Sequence, residues 1–227
     1  VKRAAFFVEG QTELIFVRRL LEEIAGARNI AFHEERRHAK SYLVLKADHV
    51  VAQKYYALIV DCAADNAVAS AILDRYAVLS AAGYELILGL RDLYPLSFGE
   101  LPALRAGLGT ILPTGNPQAH ITIAVAEVES WFMQENTHFG RIDPACTRAA
   151  IQATTGFDIE MDSAEALPHP AVTLDTAYRI GGKRYKKSKK HISRTVRAID
   201  CEHLYLDRRA MLASFNEFAV HIEKFLT

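Results

Sequence analysis

Four short apolar runs, each closed by an acid, constrain this chain more than any other feature. Residues 4–8 (AAFFV) lead into Glu9, residues 55–60 (YYALIV) into Asp61, residues 85–90 (ELILGL) through Arg91 into Asp92, and residues 121–126 (ITIAVA) into Glu127. Apolar runs of this length bounded by turn signals have the dimensions of buried strands. Helical patterns separate them. Leu14, Ile15, Val17, Leu20, Leu21 and Ile24 recur at helical spacing, Arg18, Arg19, Glu22 and Glu23 turn outward, and the pattern stops near Gly26. Residues 67–82 carry a second helical pattern ending at Gly83, with Asp65-Asn66 as a candidate N-cap. Strands alternating with helices predict an α/β fold, a mainly parallel Rossmann-like sheet with helices on both faces.

The remaining chain is less regular. Residues 29–48 join a polar stretch, HEERRHAK, to a strand-like SYLVLKAD, which predicts a hairpin or irregular insertion. Residues 97–118 hold several Gly and Pro and room for one short helix. Beyond Glu127, residues 128–134, 144–154, 193–199 and 209–226 read as helical, and 156–170 as an acidic loop. With no internal repeat and no long linker, the expectation is an α/β core over 1–135, with the insertion at about 29–48. A mostly helical C-terminal extension over 136–227 packs on that core.

Composition excludes several classes. At 50% hydrophobic and 24% charged residues, a chain of 227 residues can bury a full core and is not disordered in bulk. No run approaches the eighteen apolar residues of a membrane span, and VKRAAFFVEG turns acidic too soon for a secretory signal, so the expected location is cytoplasmic. Cys62, Cys146 and Cys201 stand far apart without CxxC spacing and read as small core residues. There is no GxSxG, GxxxxGK[ST] or GxGxxG, which weighs against an esterase, a P-loop ATPase and a dinucleotide oxidoreductase.

In a parallel sheet the carboxyl ends of all strands open on one edge, so acids distant in sequence meet there. Glu9, Asp92, Glu127 and Glu129 are the predicted members of such a site, with Asp61 a further strand-end acid held outside the core set. Clustered carboxylates repel unless a cation or proton neutralises them, and hard divalent ions take carboxylate oxygens, so the expected cofactor is Mg²⁺ or Mn²⁺. The competing reading is that each acid caps a helix or faces water.

Net charge is zero, but it is unevenly distributed. Residues 183–197, KRYKKSKKHISRTVR, hold eight Lys or Arg and no acid, which leaves −8 on the rest of the chain. Lys183, Arg184, Lys186, Lys187, Lys189 and Lys190, with Arg91 beside the acid edge, are candidate contacts to the backbone of DNA or RNA. Tyr185 and His191 are candidates for stacking on bases, and a solvated loop is the plainer alternative. Trp131, the single tryptophan, reads as core filling, and His33, His38 and His49 show no metal-ligand period.

FFVEGQTELIFVRRLL, LILGLRDLYP and ITIAVAEVESWFM together resemble a bacterial TOPRIM-like family, the topoisomerase and primase fold related to the overcoming-lysogenization-defect nucleases. The likeness covers residues 4–133, with a weaker echo around residues 184–200. It implies that Glu9 is the first-strand glutamate, a metal ligand or general acid/base, that Asp92 is the first acid of an Asp-x-Asp, and that Glu127 and Glu129 are the later acidic pair. Tyr94 stands where the second acid of Asp-x-Asp is expected. Either Glu127 or Glu129 replaces it, or the domain is a degenerate module that binds nucleic acid or protein without catalysis. Gly10 would let a phosphate approach the backbone. The resemblance implies a Mg²⁺-dependent nuclease or related phosphoryl-transfer enzyme in defence against phage or mobile DNA. It also implies a separately encoded ATPase as partner, and it is compatible with a homo-oligomer.

Overall fold

A computed structural model describes residues 1–49, 51–64 and 66–227. Its sheet has six strands: β1 (Lys2–Val8), β2 (Ile30–His38), β3 (Ser41–Ala47), β4 (Tyr55–Asp61), β5 (Leu86–Asp92) and β6 (Ala119–Ala124), in the order β3-β2-β4-β1-β5-β6. Only β2 and β3 pair antiparallel; every other neighbouring pair is parallel. β1 is central, and Ala4 to Val8 are buried because both faces of the sheet are covered. Its Phe6 faces one core with Phe16, Trp131 and Phe218, while Phe7 faces another with Val68 and Ile72.

The helices divide between those faces. α1 (Gln11–Ala25) lies on the Phe6 side, α2 (Ala67–Ala81) on the Phe7 side, and α3 (Leu101–Ile111) sends Leu108 against Leu93 and Ile123. Gly89 of β5 is required by close packing: a Cβ there would lie 2.6 Å from Ile121 Cγ1 and 2.9 Å from Val68 Cγ1. The α/β fold with helices on both faces is therefore present.

After β6 the chain is helical: α4 (Glu129–Gln134), α5 (His138–Ile142), α6 (Arg148–Thr155), α7 (Pro170–Ile180), α8 (Lys189–Ala198), the turn α9 (Cys201–His203) and α10 (Ala213–Leu226). The helices of this extension share the Phe6-side core with the sheet. Trp131 packs at 5.2 Å from Phe215 and 5.6 Å from Phe218, and its Nε1 donates to Ser214 Oγ at 2.9 Å. Trp131 is core filling, as its sequence context implied. No helix among the described residues is long and apolar enough to cross a membrane.

Several sequence expectations change here. The segment at 29–48 takes the hairpin form of the two that its sequence allowed, and it is built into the sheet: Ile30–Arg36 of β2 pair parallel with β4, and β3 is the sheet's edge. Its polar HEERRH is a strand because its charges find partners. Arg36 Nε lies 2.8 Å from Asp61 Oδ2, Arg37 reaches Asp74 at 2.7 Å, and Arg75 pairs with Glu35. α7 was not anticipated, because only Leu174, Ala177 and Tyr178 give it an apolar face behind Pro170. α8 begins at Lys189, one turn before the expected 193, under a strongly basic first turn. Asp65 lies outside the described residues, and Asn66, at the N-cap of α2, makes no side-chain capping bond.

Candidate metal centre

The strand register brings the acids together. Val8 is level with Leu90, and Asp92, the last residue of β5, is level with Ala124 of β6. Ala126 then adopts a left-handed φ of 61°, a costly turn for a residue with a Cβ, and the chain passes at once into Glu127 and α4. Tyr94 N donates to Ala126 O at 2.8 Å, which fastens this turn to the end of β5. Asp92, Glu127 and Glu129 are all buried, and each offers a carboxylate oxygen within 4.8 Å of the others. This triad could hold a metal ion.

Each of the three spends one oxygen on a protein donor. Asp92 Oδ1 accepts from Val128 N at 2.8 Å, Glu127 Oε2 from Ala171 N at 3.0 Å in the first turn of α7, and Glu129 Oε1 from the Tyr185 hydroxyl at 2.7 Å. The other oxygens face a single ammonium. Lys187 Nζ lies 3.7 Å from Asp92 Oδ2, 3.2 Å from Glu127 Oε1 and 3.5 Å from Glu129 Oε2. Glu129 Oε2 has no hydrogen-bond partner of its own. Three oxygens converge on one position, which the Lys187 ammonium holds and which could take a metal ion. The Lys187 side chain is 47% exposed.

Two more acids border the triad. Glu9 Oε2 accepts from Asp92 N at 2.9 Å, which ties the end of β1 to the end of β5. Glu13, one turn further along α1, is buried, and its Oε2 accepts from Gly10 N at 2.9 Å. Burial, followed by the charge of Glu129, pushes the Glu13 carboxyl up to about 8. Burial and the charges of Glu13, Glu129 and Glu9 push Asp92 well above the usual carboxylate range. Burial also raises Glu129, which Lys187 draws back. Desolvation lowers Lys187, but the charges of Glu129, Asp92 and Glu127 outweigh it and hold the ammonium above its ordinary value. The site is a pocket of negative charge with one cation for several carboxyl groups.

Of the predicted site residues, the structure joins Asp92, Glu127 and Glu129 and sets Glu9 against the backbone of Asp92. Asp61 is level with Val8 but turns to Arg36 and stays out of the group. Tyr94 is half exposed and edge-on to His169; Glu127 and Glu129, rather than the residue at 94, stand with Asp92. Gly10 is in extended backbone that any residue adopts, and an added Cβ would meet only an ordinary 3.5 Å contact with Glu13.

The basic stretch divides. Lys187 belongs to the acid centre, and Arg184 is paired with Asp175 at 3.0 Å. Lys183 reaches Asp143 only at 4.0 Å. Lys186, Lys189 and Lys190 are exposed, with no ion pair among the described residues. Arg91 donates its Nε to Asp92 O at 3.2 Å. Tyr185 is not a base-stacking platform: it is buried, and its hydroxyl holds Glu129.

Sequence reasoning missed Glu13, Lys187 and Tyr185 as members of the centre. Glu13 gave no separate signal, because at N3 of α1 it reads as the acid of a capping box with Gly10. Comparison of the chain with protein-family models, with curated proteins and with solved structures gives no match.

Proposed function

We propose that the chain is a TOPRIM-like, metal-dependent phosphoryl-transfer enzyme, a nuclease acting on DNA or RNA. The observation that carries this reading is the convergence of Asp92 Oδ2, Glu127 Oε1 and Glu129 Oε2 on one cationic position at the carboxyl edge of a parallel sheet. A Mg²⁺ or Mn²⁺ held by those three acids would neutralise charge on phosphoryl and leaving oxygens and lower the pKa of water. The chain's own residues do the rest. Tyr185 and Ala171 N fix the rotamers of Glu129 and Glu127, and Glu9 fixes the backbone at Asp92. Without a metal ion, burial and the charge of Glu129 raise the Glu13 carboxyl to about 8, so at neutral pH it holds a proton beside the triad. Lys187, once freed from the carboxylates, is the nearest ammonium to a phosphate brought there. The VEGQTE opening and the Glu-x-Glu after β6 support the TOPRIM assignment, and a role in defence with a separately encoded ATPase extends that resemblance.

A second reading has its own observation. Lys187 already neutralises the triad, as it would in a degenerate module that binds nucleic acid or protein without turnover. Incubating the purified chain with plasmid and single-stranded DNA or RNA in Mg²⁺ or Mn²⁺ separates the two. Cleavage that Asp92→Asn lowers about 100-fold or more is expected. Cleavage that survives in both Asp92→Asn and Glu129→Gln removes the proposed centre, and binding without cleavage in either ion selects the module.

A further inference from the structure

A groove of about 680 Å³ lies between α5 and α8, lined by Arg141, Lys190, Ser193, Arg194 and Arg197 among others. Lys190, Arg194 and Arg197 stand at i, i+4 and i+7 on one face of α8, so their charges form a stripe about 10 Å long. A nucleic-acid duplex offers one phosphate per 3.4 Å of axis on each strand, so a stripe of this length spans about three phosphates. Guanidinium groups suit phosphate because their planar forks donate two parallel bonds.

Two of these cations are fixed and two are free to reach. Arg141 Nε donates to Ala198 O at 2.6 Å, and its NH2 lies 3.3 Å from Glu135 Oε2. Arg194 rests on the Tyr178 ring, its NH2 donates to the carbonyl of Arg184, and its buried Nε has no acceptor. Lys190 and Arg197 are exposed and have no ion pair among the described residues. Burial, then the charges of Arg194, Lys190 and Lys186, push the His191 imidazole down against the opposing charge of Asp175. Lys190 follows Lys187 by three residues, so its Cα lies within about 10 Å of the Cα whose side chain enters the acid centre.

We propose that this groove seats the phosphodiester backbone of a nucleic-acid strand and delivers it to the acid centre. The inference rests on the phosphoryl-transfer reading for its destination, but the binding it requires needs no metal. A groove lined by Arg141, Lys190, Arg194 and Arg197, with Lys190 three residues along the chain from the lysine that reaches the triad, complements the charge of an extended strand.

Fluorescence anisotropy with labelled single-stranded and duplex oligonucleotides in EDTA tests it. Lys190→Glu/Arg197→Glu, two exposed positions, is expected to weaken binding about tenfold or more and to lower the salt slope by about two. Lys190→Arg retains binding. Lys40→Glu/Lys54→Glu makes the same charge change outside the groove and is expected to alter Kd less than threefold. An unchanged Kd in the groove variant, or an equal loss in the control, overturns the proposal; melting temperatures confirm that both variants are folded. The two readings fail separately. Groove-dependent binding without Asp92-dependent cleavage leaves the groove and removes the nuclease, and Asp92-dependent cleavage with groove-independent binding does the reverse.

Discussion

Two buried carboxylate centres stand in the same half of the molecule, and they have opposite electrostatics. Glu129 and Glu135 are both fully buried, six residues apart at the two ends of α4. Around Glu135 the protein supplies donors in excess. Thr137 N donates to Oε1 at 2.9 Å, the Thr137 hydroxyl does the same, and Asp200 N and Arg141 NH2 reach Oε2 at 3.2 and 3.3 Å, with His138 Nδ1 at 3.5 Å. Burial alone would raise this carboxyl, but the contacts from His138, Thr137 and Asp200 outweigh it and lower it to about 2. Around Glu129 the neighbours are other carboxyls, and one ammonium serves three acids. Burial of a charge is thus not what marks a ligand site. A buried charge whose surroundings leave it under-compensated is.

The sharpest test of that contrast exchanges each glutamate for its neutral isostere. Glu135→Gln removes a charge that several donors point at, and breaking such a buried arrangement costs about 3 kcal/mol. Glu129→Gln relieves the burial of a charge and its repulsion against Glu127, so the metal-free protein is expected to keep its stability within about 0.5 kcal/mol or gain some. Urea unfolding at pH 7 measures both. Equal losses would erase the distinction. The pH dependence follows with its sign. A glutamate whose folded value lies near 2, against an ordinary 4.5, contributes stability that is complete above about pH 4.5 and is lost as pH falls toward 2. The wild type should lose this contribution in that window, and Glu135→Gln should lack that part of the acid limb.

The next effect in size is ligand-driven. A divalent ion that binds the folded triad raises stability by about 2.7 kcal/mol at a hundredfold excess over its Kd. Thermal melts with added Mn²⁺ should show that rise in the wild type and in a folded Glu135→Gln, and none in Asp92→Asn. A rise that persists in Asp92→Asn would move the ion to another site.

Much of this was written in the sequence, for identifiable reasons. β1, β4, β5 and β6 were legible because strands buried on both faces must be continuously apolar, and parallel strands bring their closing acids to one edge. That sufficed to select Asp92, Glu127 and Glu129. β2 was obscured because its charges are neutralised by Arg75, Asp61 and Asp74, partners that only the fold supplies. Glu13 looks like a helix-starting acid and is one, accepting from Gly10 N, so nothing local reveals its second role beside the triad. In KRYKKSKKHISRTVR no rule of composition tells which lysine turns inward. Tyr185 does so because its hydroxyl has Glu129 to hold, and Lys187 follows two residues later. Glu135 was silent for the same reason as β2, since Asp200 and Ala198 reach it and Arg141 from another helix.

The smallest expected effect belongs to Lys187, and it discriminates best between a seat for metal and a finished ion pair. If the ammonium merely stands in for a cation, removing it by Lys187→Met leaves three acids that recover part of the loss by taking up protons. Metal-free stability at pH 7 should then fall by only about 1 kcal/mol, because the side chain is half exposed and part of its attraction is screened by solvent. The ion no longer competes with a tethered ammonium, so the Mn²⁺-induced rise in melting temperature should be larger than in the wild type, with about tenfold tighter binding by titration. If instead Lys187 completes a structural pair, the variant loses several kcal/mol and gains no affinity for Mn²⁺, as a Glu135-type centre would. The sign of the change in Mn²⁺ affinity therefore separates the two kinds of buried carboxylate.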